Sequence, residues 1–395
     1  MNHSLKTLEK QYFLIREAAQ QDLKSSLTDV LSANQLDEVA KFADNKLVPT
    51  DFYNSVKKLH LTGELSKGSK LLLEIRRHEA IAQDKNLLSQ VEHLAKILNV
   101  SNIDFVLLKG TALICANYFD TPGQRIVSDI DFLVRKTDLD NVYSSLNKGG
   151  YESQLNLGSG LSEYWNSKHL PPFTSKKYHF RLECHHTPFE HTFRFEIPAS
   201  THDIFNKSKT IIVGTEHCKV PCPEHLLMST FYHSEIADAN GVAGINNYRS
   251  FLDSSAILTK HNSEINWGFV KETVAQKNYE KYFYHYLNRI SNYFDSRVPE
   301  SGAISDRTHS SPLLFSTNIP QSIRQLIVSI TVHCREFARA ISATGRKERR
   351  EIGKYNPDNW KYLPIYKQIL TPKLLRSRIR YLFNMPSKIP DKNTK

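Results

Sequence analysis

Several features that are rare or missing in this sequence exclude whole classes of protein. It contains only five cysteines among 395 residues, and this odd number predicts no framework of disulfides and a reducing compartment. It lacks any run of about 18 apolar residues, so we expect no transmembrane helix. Its first ten residues lack the apolar stretch of a secretory signal. Together these absences favour a cytoplasmic globular protein.

Residues 1–345 together carry almost no net charge. Residues 346–395 hold 14 lysines and arginines against four acidic residues, so this basic tail accounts for +10 of the total charge of +11. Such a tail can bind RNA phosphates or contact an anionic membrane surface peripherally. The alternative is a basic helix, near residues 373–383, whose apolar face packs on the rest of the protein.

The spacing of apolar residues divides the chain into four regions. Helical spacing dominates residues 1–100, short apolar runs separated by turns occupy residues 101–222, and helical spacing returns over residues 223–345, before the tail at 346–395. We therefore expect an α+β fold, in which a small mixed β-sheet is flanked by N- and C-terminal helical regions.

Individual elements follow from the same patterns. Strands are predicted at 104–108, 129–134, 178–187 and 209–213. Helices are predicted at 70–100, 111–119, 137–146 (with Thr137 as N-cap), from Pro223 onward, 248–258, 267–294 and 323–341.

Two neighbouring segments of the sheet region carry most of the chemistry. Their polar residues are Lys109, Gly110, Thr111, Arg125, Ser128, Asp129 and Asp131. Because side chains alternate across a strand, both aspartates of the second segment lie on one face. Two adjacent carboxylates repel each other unless a cation lies between them, which predicts a divalent metal site. A glycine turn that carries a lysine favours phosphate binding.

A third carboxylate is expected from a later strand. Glu183 lies in the middle of the strand predicted at 178–187, on the face opposite the apolar positions. The alternative for Glu183 is an ion pair with Arg181 or Arg194. His185 shares its face and would orient a nucleotide or act as a base, or else be an ordinary polar strand residue.

The order apolar strand, Lys-Gly, helix, arginine and Ser-Asp-Ile-Asp resembles the polymerase-beta-like nucleotidyltransferase superfamily. Leu-Lys-Gly in place of the usual Gly-Ser resembles a bacterial group of nucleotidyltransferase family proteins, and the resemblance spans residues 105–267. It implies a mixed sheet of four or five strands that binds Mg²⁺ (or Mn²⁺) and a nucleoside triphosphate (NTP), ATP among them, at its edge.

The resemblance also implies roles for individual residues. The proposed catalytic and metal-binding residues are Asp129, Asp131 and Glu183. The proposed nucleotide-binding residues are Lys109, Gly110, Thr111, Arg125 and Ser128. His185, His233, Arg249 and Asp253 are expected to lie around them, although the last three could instead form a structural ion pair between helices.

The predicted reaction is Mg²⁺-dependent transfer of a nucleoside monophosphate from an NTP to an acceptor hydroxyl, with release of pyrophosphate. The acceptor stays open between a small molecule, RNA and a protein side chain. The alternative is a catalytically silent module that binds a nucleotide or a partner. A zinc site is not expected, because the spacing of the cysteines and histidines between residues 184 and 222 matches no zinc motif.

Overall fold

The computed structural model describes residues 5–21, 32–153, 168–189, 196–238, 240, 246–277 and 279–294. The predicted helix at 323–341 and the basic tail lie outside these residues. In the described part of the chain, no helix is long and apolar enough to cross a membrane.

Helices form the N-terminal part, surround the sheet and continue after it. The N-terminal helices are α1 (Leu5–Gln21), α2 (Ala33–Asn45), α3 (Pro49–Lys58) and α4 (Lys67–Val100). Those within the sheet region are α5 (Lys109–Cys115), α6 (Leu139–Lys148) and α7 (Thr201–Asn206). Those after it are α8 (Pro223–Phe231), α9 (Tyr248–His261), α10 (Trp267–Gln276) and α11 (Glu280–Phe294).

The described residues contain one mixed sheet of seven strands, and this confirms the predicted α+β class. Its strands are β1 (Phe105–Leu107), β2 (Asp129–Val134), β3 (Glu152–Ser153), β4 (Phe173–Thr174), β5 (Arg181–His185), β6 (Lys209–Val213) and β7 (Glu216–Val220). Their order is β3-β4-β5-β2-β1-β7-β6. The strand β2 pairs in parallel with β5 and antiparallel with β1. The family resemblance had implied four or five strands, and the residue patterns had missed β3, β4 and β7.

Burial of apolar side chains explains why β2 lies at the centre. Ile130, Phe132, Leu133 and Val134 are completely buried, as expected for a strand that is covered on both faces. The long helix α4 packs against β6 and β7, and it also contacts α5 and α6. The helix α1 packs against α2, α3 and the C-terminal helix α11. The two helical regions therefore contact each other.

A buried glutamine of α4 fixes the beginning of β5. The side chain of Gln90 donates from Nε2 to the Phe180 carbonyl at 2.7 Å and accepts from the Phe180 N–H at 3.0 Å. These two bonds are the pair that an opposing strand residue would make. The helix therefore sets the position of the strand that carries Glu183.

Some helix boundaries differ from their predictions. Thr137 is not an N-cap, because a 3₁₀ turn (Lys136–Asp138) precedes α6. The helix predicted at 111–119 begins two residues earlier and ends at Cys115. The helix predicted at 267–294 is two helices, since the Tyr279 N–H bonds to the Val274 carbonyl at 2.9 Å, the six-to-one bond that ends a helix in a Schellman motif.

Candidate functional site

The carboxylates of the predicted site lie on two adjacent parallel strands. Asp131 of β2 is the register partner of Glu183 of β5, and Asp129 lies two residues before Asp131. Between and beyond the aspartates, Ile130 and Phe132 are fully buried. Alternation along β2 therefore places Asp129 and Asp131 on the face that Glu183 shares.

Asp131 is the most enclosed of the three carboxylates, with only 3% of its side chain exposed. Its Oδ1 accepts hydrogen bonds from Lys109 Nζ at 2.6 Å and from His185 Nε2 at 2.8 Å. Burial alone would raise the pKa of Asp131, but the His185 hydrogen bond and the Lys109 charge outweigh it and hold this pKa well below its usual range. Asp131 is therefore ionised.

Glu183 has histidines for neighbours. His185 Nε2 lies 3.7 Å and His169 Nε2 lies 3.9 Å from Glu183 Oε2. The close approach of His185 is the main reason why the pKa of Glu183 is lowered, even though burial and the charge of Asp131 oppose ionisation. The predicted alternative, an ion pair with Arg181, is not formed in the described structure, and Arg194 lies outside the described residues.

The electrostatics of Asp129 indicate a place for a cation. Burial raises the pKa of Asp129, and the charges of Asp131 and Glu183 raise it further. Lys109 offsets only part of this repulsion. Three crowded carboxylates form the hard oxygen donor set that Mg²⁺ and Mn²⁺ prefer. The residues therefore fit the divalent ion that the sequence predicted.

Two of the three carboxylates, Asp131 and Glu183, also lie close enough to share one metal ion with His185. Ligand atoms of Asp131, Glu183 and His185 all lie within 4.8 Å of one another. Among the described residues this group contains no cysteine, and the buried thiols of Cys115, Cys184, Cys218 and Cys222 are unpaired.

The turn from β1 into α5 is conformationally unusual. Lys109 has a positive φ of 50°, which is uncommon for residues other than glycine. This conformation accompanies the contact of its ammonium with Asp131. Thr111 follows within α5, and its hydroxyl donates to the backbone carbonyl of Asp129 at 3.3 Å. The turn is thus attached to the strand that carries the aspartates.

Gly110 is required for space rather than for backbone freedom. A Cβ at this position would lie 2.7 Å from Val127 Cγ1 and 3.3 Å from Arg125 Nη2. Both neighbours belong to the loop that leads into β2. Gly110 therefore allows the loop, and with it Arg125, to approach the turn closely.

Arg125 is occupied by a bidentate ion pair. Its Nε and Nη2 donate to Oδ1 and Oδ2 of Asp253 at 2.6 and 3.0 Å, and its Nη1 donates to the carbonyl of Ile126. Both side chains are nearly buried. Asp253, on α9, is thus joined to the loop before β2. The alternative in which Asp253 forms an ion pair with His233 or Arg249 is not seen among the described residues. His233 Nε2 instead lies 3.8 Å from Asp238 Oδ2.

A cleft of about 190 Å³ lies between the aspartates and the helices α8 and α9. It brings together ten residues that the sequence singled out: Lys109, Gly110, Thr111, Arg125, Ser128, Asp129, Asp131, His233, Arg249 and Asp253. Glu183 and His185 do not line this cleft. Sequence reasoning missed Val127, Ser229, Thr230, Asp238, Asn247 and Ser250, which do.

The missed residues come mainly from the helical wall of the cleft. There α8 continues into a π-helical segment, Tyr232–Ala237, before Asp238. Such wide turns occur often at functional sites. The spacing of apolar residues does not reveal a π-helical turn, because it indicates which face of a helix is buried and not how many residues form each turn.

The loop that carries Arg125 is held by the N-terminal helices. The N–H of Gly123 donates to Asp84 of α4 at 2.6 Å, and Gln124 donates to Asp51 of α3 at 3.0 Å. Asp51 also accepts hydrogen bonds from Tyr12 and Arg16 of α1. Helices outside the sheet region therefore position one side of the cleft.

No curated protein matches the chain. A solved structure of an antigenic nucleotidyltransferase-like protein from Paracoccidioides brasiliensis is similar at 14% identity and a TM-score of 0.34, over 54% of this chain and 94% of that one. The model of a family described as uncharacterised nucleotidyltransferase matches residues 32–295. Because this match covers more than half of the chain, the protein belongs to that nucleotidyltransferase family.

Proposed function

We propose that this protein transfers a nucleoside monophosphate from an NTP to an acceptor hydroxyl and releases pyrophosphate. The observation that carries the proposal is the alignment of Asp131 with Glu183 across adjacent strands, with Asp129 next on the same face. Family membership supports the reaction class. A catalytically silent nucleotide-binding module is the alternative, and the activity measurement below separates the two.

The three carboxylates have a common task in this proposal. Asp129, Asp131 and Glu183 would hold Mg²⁺ or Mn²⁺, while His185 and Lys109 keep Asp131 ionised. When bound, the ion would neutralise phosphate charge and stabilise the leaving group. The repulsion that raises the pKa of Asp129 supports this assignment, because a cation between the carboxylates would relieve it.

The chemical step balances with groups that the chain supplies. The acceptor oxygen forms a bond to the α-phosphorus, and the bond from that phosphorus to pyrophosphate breaks, so pyrophosphate leaves with the electron pair. Glu183 is proposed to accept the hydroxyl proton, a step that requires its carboxylate in the ionised form. Lys109, Thr111 and Ser128 lie beside the aspartates in the cleft and would contact phosphate oxygens.

The decisive experiment uses NTPs labelled at either the α- or the γ-phosphorus. Nucleotidyl transfer moves the α-label to an acceptor in a cell lysate and releases the γ-label as pyrophosphate. Asp131→Asn should abolish this transfer, and Asp140→Asn on the exposed face of α6 is the matched control. Transfer of the γ-label, or full activity of Asp131→Asn, would show that the proposed reaction is wrong.

The same labelled product identifies the acceptor class. Digestion with ribonuclease or with protease separates RNA from protein, and label that survives both points to a small molecule. If calorimetry detects binding of Mg-NTP while no label moves in any lysate, the silent module is the better description.

A further inference from the structure

Arg249 lies on the helical wall of the cleft, across from the aspartates. It is in the first turn of α9, whose N-cap is Asn247, and both residues line the cleft together with Ser250. The helix has 14 residues, so the positive end of a full helix dipole is directed toward this wall.

The two arginines of the cleft are in different situations. Arg125 is paired with Asp253 through two hydrogen bonds. In the described part of the structure, by contrast, Arg249 forms no ion pair and no side-chain hydrogen bond. The guanidinium of Arg249 therefore has N–H groups available to bind a ligand in this cleft.

Leaving this cation without a partner is unfavourable. Partial burial lowers the pKa of Arg249, and the nearby charge of Arg125 lowers it further, while Asp253 and Asp129 offset part of the effect. A guanidinium stays protonated in proteins despite such shifts. An anionic ligand would remove the penalty, and planar guanidinium binds phosphate oxygens in a bidentate manner.

We propose that Arg249 binds the β- and γ-phosphates of the NTP, which leave as pyrophosphate, and that Arg125 acts only as a structural link to Asp253. This inference rests on the proposed function, which places the α-phosphorus at the aspartates. The remaining phosphates would then extend across the cleft toward α9. This proposal gives Arg249 a phosphate contact, whereas the family resemblance counted Arg125 among the nucleotide-binding residues and placed Arg249 around them.

Inorganic pyrophosphate is the probe that isolates this contact. Its binding to the full chain would be measured by calorimetry in the presence of a metal chelator, so that neither metal binding nor turnover contributes. Arg249→Gln should weaken binding by roughly 10- to 100-fold, the range of a lost charge-assisted contact. Arg249→Lys should fall between, since it keeps the charge but loses the fork.

Arg76→Gln provides the matched control. It removes the same charge from α4, where Arg76 is paired with Asp44 away from the cleft, and its pyrophosphate affinity should equal that of the unmodified protein. Thermal unfolding of each variant would show that it is folded. Equal pyrophosphate affinity of Arg249→Gln and the unmodified protein would overturn the inference.

The outcome is separable from that of the proposed function. If no lysate supports nucleotidyl transfer but Arg249→Gln still lowers the affinity for pyrophosphate, the proposed reaction is wrong and the assignment of Arg249 to an anion site is supported. If transfer occurs and Arg249→Gln binds pyrophosphate normally, the reaction stands and the assignment of Arg249 is wrong. A nucleoside monophosphate, which lacks the β- and γ-phosphates, should bind both proteins equally.

Discussion

The ammonium of Lys109 lies 2.6 Å from Oδ1 of Asp131, so a side-chain cation sits against a carboxylate that we propose as a metal ligand. Lys109 adopts this arrangement in a backbone conformation that residues other than glycine seldom take. Strain of this kind concentrates at functional sites. The contact implies that the lysine and a divalent ion compete for the same charge.

Removing the lysine should strengthen binding of a divalent ion. Lys109→Met leaves Asp131 with one fewer positive neighbour, and we expect Mn²⁺ to bind about tenfold more tightly, a change of roughly 1.4 kcal/mol. Electron paramagnetic resonance titration of free Mn²⁺ measures this directly. Lys96→Met, at an exposed position of α4, should leave the affinity unchanged. Weaker Mn²⁺ binding by Lys109→Met would contradict the competition.

The close approach at Gly110 predicts a rescue. Gly110→Ala would press its Cβ against Val127 Cγ1, and overpacking of this kind costs about 1–3 kcal/mol of unfolding free energy. Val127→Ala removes the opposing methyl group, so the double variant should lose less stability than the two single losses add up to. Urea unfolding of all four proteins measures the coupling. Strictly additive losses would mean that the two positions do not touch.

The ion pair of Arg125 with Asp253 should contribute more than an exposed pair. Both side chains are nearly buried, so Asp253→Asn would leave a buried cation without its partner at a cost of about 3 kcal/mol. The exposed pair of Arg76 with Asp44 is the comparison, and Asp44→Asn should cost less than about 1 kcal/mol. Chemical unfolding supplies both values. Equal losses would contradict the structural role of Arg125.

A buried histidine predicts acid sensitivity. Both ring nitrogens of His225 are buried and lack a hydrogen-bond partner in the described structure, and burial lowers its pKa from 6.5 to about 4. As pH falls below 6.5, the unfolded chain takes up a proton that the folded one refuses, so stability declines until about pH 4. The lowered pKa corresponds to a loss of roughly 3 kcal/mol of unfolding free energy over this pH range.

His225→Leu tests this linkage. The variant lacks the titrating group, so its unfolding free energy should fall less between pH 6.5 and pH 4.5 than that of the unmodified protein. Urea titrations at several pH values in this window compare the two slopes. Parallel slopes would show that the acid sensitivity has another origin.

The sequence predicted the carboxylate-bearing strand well because its signal is local. The strand β2 has the predicted bounds, since an apolar alternation interrupted by two aspartates has one arrangement that buries Ile130 and Phe132. The strand β7 was missed, because its segment Glu216–Val220 is short and mostly polar and depends on pairing with β6.

The site itself was predictable only in part, because some of its contacts join distant parts of the chain. Arg125 and Asp253 are 128 positions apart, and no spacing rule links a loop to a helix that follows the sheet. The sequence singled out both residues, and both line the cleft, but it could not show that they pair with each other. That pairing is what leaves Arg249 available.

The hydrogen bonds between Gln90 and Phe180 have a consequence for the order of events during synthesis. Residue 90 leaves the ribosome well before residue 180, so α4 can already be helical and present its amide when β5 emerges. The amide then selects one alignment of the emerging strand, and a slip by one residue would turn Glu183 away from Asp131. We therefore expect the carboxylate cluster to assemble against a helix that the chain made earlier, 90 residues before the strand.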